Sequence, residues 1–305
     1  MVYRGYEIDV IEGRKTHDKD NSVPGIVIRG VADFDPKQIF ECGQCFRWIR
    51  ESDGSYTGVV RGKVANVAFE SGVLTLNNVT FDEFDRIWFD YFDLGRNYSE
   101  IKRAVAIDDI MRKAVAFGSG IRLLRQETWE TMISFIISAN NNIPRIMKII
   151  NDISRFFGNE LEYGGLKYYS FPDAKSLALC SLEQLQVCRA GYRCGYISET
   201  AATVASGGFD MESLALMGTE EARKALLGLK GVGGKVADCI LLFSGVGHDV
   251  FPTDVWVKRV MEELYFKREA SLNEIRRFAL DYFGQYAGIA QQYLFYYARE
   301  HKIGV

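Results

Sequence analysis

The sequence predicts an α+β protein, with an N-terminal antiparallel β-sheet domain carrying some helices, followed by an all-helical domain. Three observations predict it. Residues 22 to about 80 break into short runs rich in Val, Ile, Tyr, Phe and Thr, divided by Gly, Asn and a Ser-Asp-Gly stretch. From residue 80 the apolar spacing turns helical and stays so to the end. No repeat period appears, and Gly118-Ser119-Gly120 is the expected break. The expected division is a polar tail over 1–21, a β-rich domain over 22–118 and a helical domain over 119–305.

The tail reading rests on the mixed charge of the first 20 or so residues, closed by HDKDNS. The strands expected next are GIVIRG, CFRWIR, SYTGVVRG, KVANVAFE and GVLTLNN, several alternating apolar and polar as half-buried strands do. Asp35-Pro36 fits the cap and first position of a short helix. Thr80 and Glu83 fit a capping box before FDEFDRIWFDYFDL. Helices are then expected at 99–107, 109–117, 127–138, 143–157, 176–187, 194–205, 219–229, 234–245 and 254–265. A last one over about 272–300 would be opened by Ser271 and Glu274.

Composition narrows the function classes. The formal net charge is −3, which argues against coating nucleic acid through bulk charge but leaves room for a local basic groove. No apolar run is long enough for a membrane span, and the first residues lack the apolar stretch of a secretory leader. The expected location is therefore cytoplasmic, at the nucleoid of a bacterium or in the nucleus of a eukaryote. The 6 cysteines point to no disulfide framework in such a compartment, and the 3 histidines are too scattered for a multi-histidine metal site.

The stretch GVGGKVADC at 231–239 carries the chemistry. A phosphate-binding P-loop would need Gly at 229 and Ser or Thr at 236, where the chain has Leu229 and Val236. A dinucleotide fingerprint also fails at Val236. What remains is helix, glycine turn, helix. Gly231 and Gly233 leave backbone N–H groups bare at a helix start, where the dipole favours anions. Such a turn holds DNA phosphate without reading sequence.

Lys235 follows at the mouth of that helix. A helix N-terminus and apolar neighbours disfavour a cation, freeing an amine to attack carbon and form a Schiff base. From the lysine alone, a further phosphate contact or a surface lysine explains it as well. FPTDVWVKRV, 19 residues on, adds Asp254, a helix cap that returns to the neighbourhood of Lys235. A carboxylate there can stabilise a cationic sugar or manage protons.

GVGGKVADC with FPTD resembles the 8-oxoguanine DNA glycosylase family of helix-hairpin-helix glycosylases, over about residues 22–300. The resemblance implies a helical helix-hairpin-helix glycosylase domain and a bifunctional DNA glycosylase and AP lyase of base excision repair. It implies that Lys235 displaces the damaged base and bonds C1′, with Asp254 as catalytic aspartate. In CGQCFRW, Gly43 would offer its carbonyl to N7–H of 8-oxoguanine, a donor that guanine lacks; the bond is worth about 1 kcal/mol, with ~1–3 more at stake when a buried group is unpaired.

In AQQYLFYYARE, the resemblance makes Phe295 the stacking ring and Gln291 the reader of the base edge, with Gln292 easily confused with it. Cys239 would face the base from the other side. ISANNNIPRI supplies Asn140 to fill the gap and Arg145 to contact the opposite cytosine, and GYR supplies Tyr192 as a wedge and Arg193 as a second cytosine contact. The implied partner is double-stranded DNA containing 8-oxoguanine, preferably opposite cytosine. No redox cofactor or catalytic metal is implied, the hairpin carbonyls being candidates for a monovalent cation, and nothing demands more than a monomer. The four-cysteine run of the endonuclease III type is missing. Two positions depart from the pattern: Trp256 stands where histidine is usual, and Cys45 where serine is.

Overall fold

Alternating side chains build the sheet. The computed structural model describes residues 1–13 and 23–304. Strands β1 (Val2–Tyr3), β2 (Tyr6–Ile11) and β3 (Gly25–Arg29) lead to helix α1 (Pro36–Phe40), then to β4 (Trp48–Arg50), β5 (Tyr56–Val60), β6 (Lys63–Glu70) and β7 (Val73–Asn77). The sheet order is β1-β2-β3-β7-β6-β5-β4, and each neighbouring pair is antiparallel. Ile26 lies opposite Leu76 and Ile28 opposite Leu74, and all four are buried on one face. Asp35 caps α1 by accepting from Gln38 N–H at 3.2 Å.

The polar-tail expectation is corrected here. Residues 2–11 form two strands, and Ile8 is fully buried. Charged residues in YEIDVI face water while Ile8 faces the core, the pattern of a half-buried edge strand. Residues 14–21 of the expected tail lie outside the described residues.

Thr80 and Glu83 make both bonds of a capping box at α2 (Phe81–Glu83), which runs through a π turn (Phe84–Trp88) into α3 (Phe89–Tyr91). Phe84, Trp88 and Phe92 fill the space over the sheet with Trp48 and Phe40. Helices α4 (Tyr98–Val105) and α5 (Asp109–Phe117) bury Tyr98, Ile101, Met111 and Ala114 in the other, helical core.

That helical core is built by α6 (Thr128–Ser138), α7 (Ile143–Phe157), α8 (Ala174–Ala178), α9 (Leu182–Gln186) and α10 (Arg193–Ala205). It is completed by α11 (Thr219–Leu227), α12 (Gly234–Phe243), α13 (Val255–Met261), α14 (Leu272–Phe283) and α15 (Ala287–Glu300). Two expected helices are broken. The one over 176–187 divides because Ser181 caps α9 with its own box to Gln184. The one over 272–300 divides at Gly284, whose φ of +56° suits glycine. Ser271 accepts from Glu274 N–H, but the Glu274 carboxylate pairs with Arg268 rather than closing a box. A hairpin of β8 (Glu160–Tyr163) and β9 (Leu166–Tyr169) was not expected; Gly164 and Gly165 both take positive φ, as a tight two-residue turn requires.

Arg122 stitches the two parts together. It is 3% exposed, and its donors reach the carbonyls of Asp33, Asp93 and Ala32, each at 2.9 Å. A buried cation is tolerable when its donors are satisfied in this way.

Candidate active site

Gly231 and Gly233 of the hairpin between α11 and α12 sit in different settings. Gly231 has φ +80°, and a Cβ on it would lie 2.7 Å from the Tyr196 ring. Gly233 is extended at the start of α12, with open space beside it and no side chain capping the helix. The amides at that end are uncovered and suit an anion. The Arg223 guanidinium holds Asp238 at 2.7 Å and ties α11 to α12.

Lys235 is the second residue of α12, and its half-buried side chain enters a pocket of about 150 Å³. Its Nζ lies 3.3 Å from Ser138 Oγ and 5.3 Å from the centre of the Phe135 ring. Cys239, one turn further, lines the same pocket, and burial pushes its thiol up to about 11 against the opposing pull of Lys235. That thiol stays protonated near neutrality and does not compete as a nucleophile.

Asp254 caps α13, its Oδ1 accepting from Val257 N–H at 2.8 Å. It faces the same pocket and, among the described residues, forms no ion pair with Lys235. An amine and a carboxylate that share a pocket without neutralising each other can both act on a third group.

The segment around Gly43 is held from several sides. Arg299 donates to Glu41 O at 2.8 Å, and Gln292 Nε2 to Cys42 O at 2.8 Å. The buried Gln44 amide donates to Ile39 O and Arg122 O and accepts from Leu124 N–H. Gly43 itself has φ +90°, and its carbonyl has no hydrogen-bond partner among the described residues. A Cβ there would lie 3.3 Å from the Phe295 ring, so glycine lets backbone and ring approach each other. Cys42 and Cys45 are buried in different cores, and burial raises both thiols. They fill space rather than form a reactive pair.

The pocket distinguishes the two glutamines. Gln291 is buried, and its Oε1 has no partner. Gln292 is spent on Cys42 O. An orphaned buried amide oxygen is costly unless a ligand completes it. Gln291→Leu is expected to keep the melting temperature within a degree or two of the parent and to raise KM. Gln292→Leu should strand the Cys42 carbonyl and cost ~1–3 kcal/mol of stability. Thermal melts beside steady-state kinetics check both.

Phe295 lines the pocket between Gly43 and Trp256, whose ring meets it edge-on at 5.0 Å and 85°. The departure at position 256 therefore supports an aromatic wall, through an edge-to-face pair of ordinary geometry. Ser138 and Asn141 also line the pocket and were missed; a Ser at a helix end and the middle Asn of three carry no signal of their own.

Asn140, Tyr192 and Arg193 meet at the tip of the α6–α7 turn. Asn140 is exposed with φ +49°, and Tyr192 is 58% exposed. Arg193 is far less open than Arg145. It is only 2% exposed, stacks 4.5 Å over the Tyr192 ring, and donates to Ala139 O and to Asn140 O, the latter at 2.9 Å. Its guanidinium is a clasp on the turn rather than a free surface group. Arg145, in the first turn of α7, is exposed and forms no ion pair among the described residues.

Comparison with known proteins agrees with this architecture. Residues 26–132 match the N-terminal domain of 8-oxoguanine DNA glycosylase, and residues 133–284 match the HhH-GPD superfamily of base excision DNA repair proteins. A probable N-glycosylase/DNA lyase of Methanothermobacter thermautotrophicus is 32% identical over 88% of this chain and 95% of its own length. The 8-oxoguanine glycosylase/lyase of Clostridium acetobutylicum, solved with double-stranded DNA containing cytosine opposite 8-oxoguanine, superposes with a TM-score of 0.92 at 41% identity, covering 97% of this chain and 99% of that one. MBOgg1, solved with a low-affinity DNA ligand, gives a TM-score of 0.91 at 47% identity over the same shares. Among the described residues no helix is long and apolar enough to cross a membrane. With both halves matched in order and the glycine hairpin, lysine and aspartate in place, the chain belongs to the 8-oxoguanine DNA glycosylase family of helix-hairpin-helix base excision repair enzymes.

Proposed function

We propose that the protein excises 8-oxoguanine from duplex DNA, preferably opposite cytosine, and then cleaves the strand by β-elimination. The observation that carries this reading is the pocket in which Lys235, Asp254, an unpaired Gln291 amide and the Gly43–Phe295 contact converge. Hairpin amides grip phosphate, and the flipped base enters the pocket. The base lies against Phe295 with Cys239 on its other side. The Gly43 carbonyl accepts from N7–H of the oxidised base, and Gln291 pairs with the base edge. The Lys235 amine attacks C1′ as the C1′–N9 bond breaks, and Asp254 stabilises the cationic sugar. The new secondary ammonium loses a proton, its nitrogen lone pair forms the C1′=N bond of the Schiff base as the C1′–O4′ bond breaks and O4′ takes up a proton, and loss of a C2′ proton then expels the 3′ phosphate.

Borohydride trapping tests the reading, with duplexes bearing 8-oxoguanine opposite cytosine, an oxidised pyrimidine, or no lesion. A covalent adduct with the 8-oxoguanine duplex alone is expected. An adduct on the pyrimidine lesion alone would keep the lysine chemistry and overturn the substrate.

The turn residues divide the work on the gap. Asn140 fills the space left by the extruded nucleotide, Tyr192 wedges the stack, and the exposed Arg145 reads the opposite base. Arg193 acts through the turn it clasps. Arg145→Ala is expected to bring excision rates opposite the four bases closer together by roughly tenfold or more, the worth of a lost bidentate contact of ~1–3 kcal/mol. Arg193→Ala should lower all four rates together. A selective loss opposite cytosine in Arg193→Ala would return the direct contact to Arg193.

A further inference from the structure

Beside the base pocket lies a second, larger groove, between β4–β5, α7 and the β8–β9 hairpin. Phe46 lines both. Four cations line the groove, Arg47, Lys148, Arg155 and Lys167, and no carboxylate does. Its other lining includes Tyr168, Tyr169 and Ile49, the last 59% exposed.

The cations are not committed elsewhere to the same degree. Arg47 reaches Glu130 at 3.7 Å and is the most enclosed. Lys148 meets Asp152 at 3.4 Å and Lys167 meets Glu160 at 2.9 Å, with lysine side chains 62% and 66% exposed. Exposed pairs of that kind are weak and can be exchanged for phosphate. Arg155 forms no ion pair among the described residues.

Duplex backbone would engage the cations but leave the aromatic and aliphatic floor facing paired bases edge-on. Tyrosines and cations lining one groove fit a strand whose base faces are free. The groove also adjoins the proposed DNA surface along α7, whose first turn carries Arg145 and whose later turns carry Lys148 and Arg155.

We propose that this groove holds unpaired single-stranded DNA running on from the duplex engaged at the lesion. The inference rests on the reading that the protein acts on DNA, and its test separates the two.

The full chain is titrated by fluorescence anisotropy with a blunt 8-oxoguanine·cytosine duplex, with the same duplex carrying a tail of about ten thymidines at each end in turn, a length within ordinary single-strand sites, and with the free oligothymidine. One tail position is expected to tighten binding at least tenfold over the blunt duplex. The combined variant Lys148→Ala/Arg155→Ala/Lys167→Ala should lose that gain. Its salt slope on the tailed duplex should fall by about 2, at about 0.7 per phosphate contact on a single strand, while base release from the blunt duplex stays unchanged. Tyr168→Leu should lose part of the gain with the slope kept, because stacking rather than charge is removed.

Equal affinity for blunt and every tailed duplex would overturn the proposal. So would an equal loss on blunt and tailed DNA in the combined variant, which would assign the cations to duplex backbone. If the blunt duplex is neither bound nor cut, the proposed function fails, and oligothymidine binding that depends on the three cations still decides the groove.

Discussion

Lys235→Gln is expected to bind an 8-oxoguanine·cytosine duplex about as tightly as the parent while base release falls by at least about 10³-fold, a loss of ~4 kcal/mol of barrier lowering. The glutamine fills similar space and can still donate to Ser138 Oγ, as Nζ does at 3.3 Å. The hairpin amides, Gln291 and Phe295 are untouched, so recognition survives. What disappears is the amine that bonds C1′, and with it the borohydride adduct. Single-turnover excision beside anisotropy titration makes the measurement. Excision within tenfold of the parent would remove Lys235 from the reaction and leave it as a phosphate contact.

Asp254→Asn carries the second largest expected effect and separates two duties of one side chain. Asn caps a helix about as well as Asp, so Val257 N–H keeps an acceptor and the melting temperature should stay within a degree or two. The negative charge is lost, and excision should fall by ~10²–10⁴-fold, the usual worth of a positioned proton-transfer group. Asp254→Ala should lose the rate and about 1 kcal/mol of stability together. Unchanged excision in Asp254→Asn, with a stability loss in Asp254→Ala, would reduce Asp254 to its cap.

Much of the fold was legible because helix ends carry chemical marks. Asp35-Pro36 and Thr80 with Glu83 sit where their caps were expected, and α5 and α7 keep their expected bounds. The misses have physical causes. Ser181 with Gln184 reads as the interior of a longer helix, since both residues are tolerated there. Gly164-Gly165 between β-formers is a hairpin signal that the helical spacing on both sides masks. Tyr6–Ile11 buries only one residue fully and so looks polar throughout. At the site, neighbouring Gln291 and Gln292 could be separated only by their partners, since both lie near the same face as Phe295. Arg193 could not be told from Arg145, because the sequence does not say which guanidinium the Ala139 and Asn140 carbonyls capture.

The segment carrying Gly43 spans the seam between the two cores, with Cys42 in one and Cys45 in the other. Its conformation is enforced by Gln292 and Arg299 from the last helix and by the segment through Arg122 and Leu124 that precedes α6. The base-reading wall therefore exists only when both halves have folded and docked. The glycine hairpin and Lys235 lie within the helical half, whereas the wall around Gly43 draws on both. Base acceptance is thereby coupled to the docking of the two halves.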